Sequence, residues 1–164
     1  MKSVERVRAA LIAAGVGDVI IDLPDSARTA QMAADALSKH LHQEVPVGAI
    51  VKSLVFTAGG QPVLVLVAGD RRADANKLKA ATGASIIKMA DAETVRATTG
   101  YAIGGVPPLG HTRPLPILID EHLLSHAEVW AAAGLPDAVF RVAPRDLERA
   151  TGARRARLAA DSSA

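Results

Sequence analysis

The residue types most able to do chemistry in this chain are a lysine inside a strand and a stiff glycine–proline loop far from it in sequence. Between Thr98 and Asp120, Gly100, Gly104, Gly105 and Gly110 bracket the pair Pro107-Pro108. Glycine lets backbone approach a ligand closely, and proline fixes φ and removes a donor. A loop so built can hold its remaining N–H groups outward toward a carboxyl, carbonyl or phosphate group. It can equally be a stiff turn between two strands. Lys52 shares one strand face with the apolar Ile50, Leu54 and Phe56. An ammonium so placed must snorkel, find an anion or lower its pKa, unless it is an edge-strand lysine that blocks aggregation. Asp120 ends the next strand. Its carboxylate can line a site or cap the turn at Glu121 and His122.

Other chemistries lack their parts. The chain has no cysteine, so thiol catalysis, disulfides and cysteine zinc sites are excluded. His40 and His42 would diverge by about 200° on a helix. His122 and His126 stand four apart, but Leu123, Leu124 and Ser125 supply no carboxylate between them, so they read as surface histidines. His111 directly follows the glycine–proline loop and is the histidine nearest the presumed site. There is no GxxxxGK[ST] loop and no GxSxG elbow, and Gly104 to Gly110 lacks the strand-then-helix context of a dinucleotide fingerprint.

The elements that must position these residues fit one mixed α/β domain. Apolar residues make up 49% of the 164, enough for a real core. The aromatics are only Trp130, Tyr101, Phe56 and Phe140, so that core must be Val, Leu, Ile and Ala, and base-stacking platforms are disfavoured. Helical spacing of Val4, Val7, Leu11 and Ile12 predicts a first helix, closed by Gly15 and Gly17. Thr29 can cap a second, from Met32 to Leu41. Strands are expected at Val19 to Leu23, Ile50 to Thr57, Pro62 to Ala68, Ile86 to Met89 and Leu115 to Ile119, with a hairpin at Gly59-Gly60. The unbroken apolar run Pro62 to Ala68 predicts a strand covered on both faces. Further helices are expected at Ala73 to Ala81, from Asp91 to about Ala97, and from Pro144 through Leu147. Glu128 to Ala132 and Ala138 to Val142 flank a turn at Gly134-Leu135-Pro136-Asp137. The domain is expected to end at residue 152, and residues 153–164, rich in Ala, Arg and Ser, read as a flexible tail.

Net charge is +2 and dispersed. The cations Arg71, Arg72, Lys77 and Lys79, and the group Arg149, Arg154, Arg155 and Arg157, read as solvated helix faces or as weak pointers to nucleic acid. No signal peptide and no apolar run of membrane-span length is present in the sequence, and a cytoplasmic location is expected.

Taken in order and spacing, five segments resemble one family: Arg28-Thr29-Ala30, Val51-Lys52-Ser53-Leu54-Val55-Phe56, Val67-Ala68-Gly69-Asp70, Thr99-Gly100-Tyr101, and Gly104 through His111. The chain resembles the YbaK/EbsC family, related to the editing domain inserted in bacterial prolyl-tRNA synthetases, from about Val19 to about Leu147. The resemblance implies a single α/β domain with a mixed, partly barrelled sheet surrounded by helices. It implies a free-standing enzyme that hydrolyses, in trans, the ester between a wrong small amino acid (Ala, Ser, Thr or Cys) and tRNA. No metal, no cofactor and no covalent intermediate are implied.

The family's lysine falls on Lys52, its GxxxP motif on Gly104 and Pro108, and its acidic residue on Asp120. Catalysis is then expected from Lys52 as a cation and from backbone N–H groups of Gly104, Gly105 and Val106 as an oxyanion site. Substrate binding is expected from Thr29, Ser53, Pro107, Pro108, His111 and Asp120, with Val106-Pro107 stiffening the loop and narrowing the pocket. A substrate ribose hydroxyl or a positioned water would serve as base. Implied partners are aminoacyl-tRNA and a synthetase, with no membrane or DNA, and the chain is expected to be a monomer or weak homodimer. A silent tRNA- or synthetase-binding module, and an esterase or amidase unrelated to tRNA, remain open.

Overall fold

A computed structural model of the chain describes residues 2–25 and 27–161. The chain forms α1 (Ser3–Ala13), β1 (Ile20–Asp22), α2 (Ala30–Leu41), β2 (Val51–Ala58), β3 (Gln61–Ala68), α3 (Ala75–Thr82), β4 (Ile87–Met89), α4 (Ala92–Thr99), β5 (Ile117–Asp120), β6 (Val129–Ala132), β7 (Ala138–Val142), α5 (Pro144–Thr151) and β8 (Arg154–Ala156). Short 3₁₀ turns cover Val47–Ala49 and Glu121–Ser125.

Local chemistry sets these limits. The Thr29 hydroxyl accepts from the Met32 N–H at 3.1 Å, Asp74 from Lys77 at 2.9 Å, and Asp91 from Thr94 at 2.8 Å, each satisfying an orphan donor at a helix start. Pro144 opens α5, where its missing N–H costs nothing.

The mixed α/β architecture is as expected, with the strands divided into two sheets rather than one. The larger has the order β4-β2-β3-β5-β8, antiparallel from β4 to β3 and parallel from β3 to β8. The smaller is antiparallel, in the order β1-β7-β6. They meet at one parallel bridge, Ile50 to Trp130.

The hairpin β2–β3 is the centre of the molecule, in register from Val51 opposite Ala68 to Ala58 opposite Gln61. Leu64, Leu66 and Ala68 face the main core with Val7, Ile119 and Phe140. Val63, Val65 and Val67 face a second layer with Leu78, Leu118 and Leu158. Both faces of β3 are therefore dry, as its continuous apolar run requires. A third cluster packs Ala33, Ala34 and Leu37 of α2 on Trp130 and Val139.

The C-terminal expectation is corrected. Residues 154–156 form β8 beside β5, and Leu158 and Ala159 are 0% and 1% exposed. Helix α5 also runs on to Thr151. The Ala/Arg-rich composition hid this because Leu158 is the segment's one large apolar residue and its pairing is non-local: Arg154 opposes Leu118, and Ala159 bridges Ala73. The pairing also delays α3 to Ala75 instead of Ala73. The last part of the expected tail, residues 162–164, lies outside the described residues.

Candidate active site at the junction of the sheets

A cleft of about 630 Å³ opens where the two sheets meet. Its floor is β2 from Val51 to Leu54. Its walls are the start of α2 with Arg28 and Thr29, the strands β6 and β7 at Trp130 and Val139, and the loop residues Ile103, Gly104 and Val106. The cleft therefore gathers segments from Arg28 to Val139 in one place.

Lys52 lies on that floor, partly buried on β2 opposite Val67. Its ammonium donates to the Arg71 backbone carbonyl, in the loop that follows β3. Burial pushes the Lys52 pKa below the ordinary lysine value. Asp70 opposes that shift and Arg72 reinforces it. The lysine thus found a carbonyl rather than a carboxylate, and among the described residues two of its three N–H donors have no acceptor.

Gly104 and Val106 line the same cleft, and among the described residues neither backbone N–H has an acceptor. Gly105 differs. Its N–H donates to the Ala102 carbonyl at 3.0 Å, closing a turn, so it is corrected from oxyanion donor to part of the scaffold. A Cβ at Gly105 would stand 2.8 Å from the Gly134 carbonyl oxygen, so glycine there lets the β6–β7 turn approach.

The rest of the loop is a braced frame. Pro107 and Pro108 are buried and do not line the cleft, which corrects their assignment to substrate binding. His111 lies outside it too, and its Nε2 bonds the Pro107 carbonyl at 2.7 Å. Since a carbonyl only accepts, the ring carries its proton on Nε2. Burial holds the His111 pKa below the usual histidine value, with the Pro107 bond pulling the other way. The Tyr101 hydroxyl donates to the Gly110 carbonyl at 2.7 Å, and Arg6 of α1 donates to the Gly100 carbonyl at 3.1 Å while stacking 4.8 Å from the Tyr101 ring centre.

Asp120 is also corrected. It is 0% exposed and away from the cleft. One oxygen accepts from the Leu158 and Ala159 N–H groups at 2.7 and 2.9 Å. The other accepts from the His122 N–H at 3.0 Å and meets the His122 Nδ1 at 2.6 Å. Burial alone would raise its carboxyl pKa; these bonds outweigh burial and hold it below the ordinary carboxylate value. The turn-capping alternative describes part of this role. His122, read as a surface histidine, is the partner that shares the carboxylate.

Thr29 and Ser53 both reach the cleft, Thr29 through a hydroxyl already used as the α2 cap. The Ser53 Oγ is buried without a partner, as is the indole N–H of Trp130. Trp130 was absent from the sequence-based site. Its being the lone tryptophan of the chain, in a short apolar strand, was the available signal. Asp70 and Arg28, which belong to two of the family-like segments, also line the cleft. Among the described residues, no three His, Cys, Asp or Glu side chains cluster as metal ligands, and no helix is long and apolar enough to cross a membrane.

Comparison with known proteins bears on this geometry. A solved structure described as a candidate trans-editing enzyme for prolyl-tRNA synthetase superposes with a TM-score of 0.86 at 44% identity, over 98% of both chains. The proline--tRNA ligase of Nitratidesulfovibrio vulgaris (strain Hildenborough) is 44% identical over 66 residues, which are 40% of this chain and 12% of the ligase. A candidate Cys-tRNA(Pro)/Cys-tRNA(Cys) deacylase, EbsC of Enterococcus faecalis, is 31% identical over 99 residues, 59% of this chain and 60% of that protein. The chain thus spans only a small fraction of the length of the ligases it matches. The family model of the aminoacyl-tRNA editing domain matches residues 25–160, and this chain belongs to that family.

Proposed function

We propose that this chain is a hydrolase that removes a small, wrongly attached amino acid from tRNA, acting in trans on the product of a synthetase. The observation that carries the proposal is the cleft itself. Lys52, Gly104 and Val106 line one cavity although about a third of the sequence separates the lysine from the loop, and among the described residues the Gly104 and Val106 N–H groups have no acceptor. The similarity over 98% of both chains to a candidate trans-editing enzyme supports the in-trans reading.

An aminoacyl ester is already activated, so a modest catalyst suffices. Water adds to the ester carbonyl carbon, and the carbonyl oxygen becomes an oxyanion. The Gly104 and Val106 N–H groups stabilise that charge as it develops. The Lys52 ammonium, held by the Arg71 carbonyl, keeps two N–H donors for the substrate's carbonyl or terminal phosphate. The tetrahedral species then expels the ribose oxygen, releasing the free amino acid and uncharged tRNA. No histidine or glutamate lines the cleft, and the neighbouring ribose hydroxyl or a bound water relays the proton from the attacking water to the departing ribose oxygen.

The test is a panel of tRNAs charged with Ala, Ser, Thr, Cys and Pro, offered to the wild type and to Lys52→Ala. Hydrolysis of at least one small amino acid, lost in the variant, is expected. A terminal adenosine lacking the 2′ hydroxyl is expected to slow the reaction by about 10²-fold or more if that hydroxyl is the base. Binding of charged tRNA without hydrolysis of any ester would instead favour a silent binding module. Hydrolysis of free amino-acid esters as fast as charged tRNA would favour a general esterase.

A further inference from the structure

Lys52 owes its position to a loop, and the loop owes its position to the end of the chain. Arg71, whose carbonyl receives the Lys52 ammonium, sits in the turn between β3 and α3. The start of this turn is fixed by Gly69 N–H to Ile50 carbonyl and Arg71 N–H to Ala68 carbonyl bonds, at 2.8 and 3.0 Å. Its far side lies against residues 158–161. Asp74 N–H donates to the Leu158 carbonyl at 2.7 Å, and Ala160 N–H to the Arg72 carbonyl at 2.8 Å. The Arg71 guanidinium reaches the Asp161 carbonyl at 3.1 Å, and the Lys77 ammonium reaches the Ala159 carbonyl at 2.7 Å and the Asp161 carboxylate at 2.6 Å. The segment is itself pinned from below by the buried Asp120 carboxylate, through Leu158 and Ala159.

We propose that Asp120 and the C-terminal segment 158–161 form a positioning device for Lys52. The segment acts as a strap: Asp120 anchors it, Lys77 and Arg71 clip its outer edge, and it fixes the 71–74 turn whose carbonyl aims the ammonium into the cleft. A lysine side chain carries much rotamer freedom, and a single acceptor restrains it only if that acceptor is itself immobile. The proposal rests on the catalytic reading of Lys52. It assigns Asp120 a role that acts through the lysine and not on the substrate.

The test uses Lys77→Met, at the partly exposed rim of the strap, and Asp120→Asn, each alone and combined with Lys52→Ala. Single-turnover deacylation, affinity for charged tRNA, and the pH titration of the Lys52 side chain by NMR of labelled lysine are measured. Lys77→Met is expected to slow the chemical step about tenfold while changing affinity less than about twofold. It is also expected to move the Lys52 titration toward that of a free lysine, because water replaces the packing around the ammonium. In the Lys52→Ala background the same substitution is expected to add nothing. An unmoved Lys52 titration in the folded variant, or losses that multiply in the double variant, would overturn the proposal. Should Asp120→Asn fail to fold, Lys77→Met decides alone. Full activity of Lys52→Ala would sink the catalytic reading instead, and the NMR titration would still report whether the strap holds the lysine.

Discussion

Gly104 and Gly105 stand next to each other yet do different work, and substitution should separate them. Gly104 has φ +96°, a conformation that side-chain-bearing residues rarely adopt, and a Cβ there meets nothing closer than Pro136 at 3.9 Å. Gly104→Ala therefore strains the backbone without crowding it, at a cost of about 1–2 kcal/mol. The expected relief is rotation of the Gly104 peptide, whose N–H has no acceptor among the described residues. Gly105 has ordinary φ, but its Cβ would overlap the Gly134 carbonyl at 2.8 Å and push the β6–β7 turn away. Overpacking of this kind costs about 1–3 kcal/mol. Thermal melting and single-turnover deacylation, measured on both variants, check the contrast. Gly104→Ala should lose more rate than its melting shift explains, whereas Gly105→Ala should lose stability first. Equal rate losses at equal stability would mean that Gly105 also serves the oxyanion.

At the level of elements, α1 holds the glycine–proline loop in place, although no residue of α1 lines the cleft. Arg6 joins them through its bond to the Gly100 carbonyl and its stacking on Tyr101, and Tyr101 in turn ties down Gly110. Arg6→Met keeps the aliphatic stem and removes both the bond and the cation. It is expected to destabilise the fold by about 1–2 kcal/mol and to lower the deacylation rate through a looser loop, as melting curves and kinetics on the same samples would show. This brace was not legible in the sequence, because Arg6 and Gly100 are joined by a single contact with no periodicity to announce it. What was legible came from local rules. The caps Thr29 and Asp91, the hairpin at Gly59-Gly60 and the dry strand β3 each follow from a few adjacent residues. The site divided along the same line. Lys52 showed itself by strand alternation and the loop by its composition. Their approach to each other, and the partition of the loop into cleft-lining Gly104 and Val106 and buried Pro107 and Pro108, depend on long-range packing. Strand β8 escaped notice for the same reason, since its partner Leu118 lies far back along the chain.

On the scale of the whole molecule, two titrating groups in separate braces tie global stability to pH. Both hold fewer protons in the folded state than in the unfolded chain. His111 has its pKa lowered chiefly by burial, with the Pro107 bond opposing, and Asp120 is lowered because its hydrogen bonds overcome burial. Wherever the unfolded state binds more protons, stability rises with pH. The contribution of His111 is therefore full above the ordinary histidine range and is lost as pH falls through its depressed folded value. That of Asp120 is full above the ordinary carboxylate range and fades only in stronger acid, below it. Urea unfolding followed as a function of pH should thus weaken in two stages, the first below about pH 6.5 and the second below about pH 4. His111→Gln, which can still donate to the Pro107 carbonyl, should erase the first stage and leave the second. Asp120→Asn should shrink the second, to which Asp91 and Asp161, also held below the ordinary carboxylate value by their hydrogen-bond partners, still contribute, and lower stability at neutral pH, since the amide cannot accept from the His122 N–H and ring as the carboxylate does. A His111→Gln variant that kept the upper stage would overturn the assignment of that stage to His111.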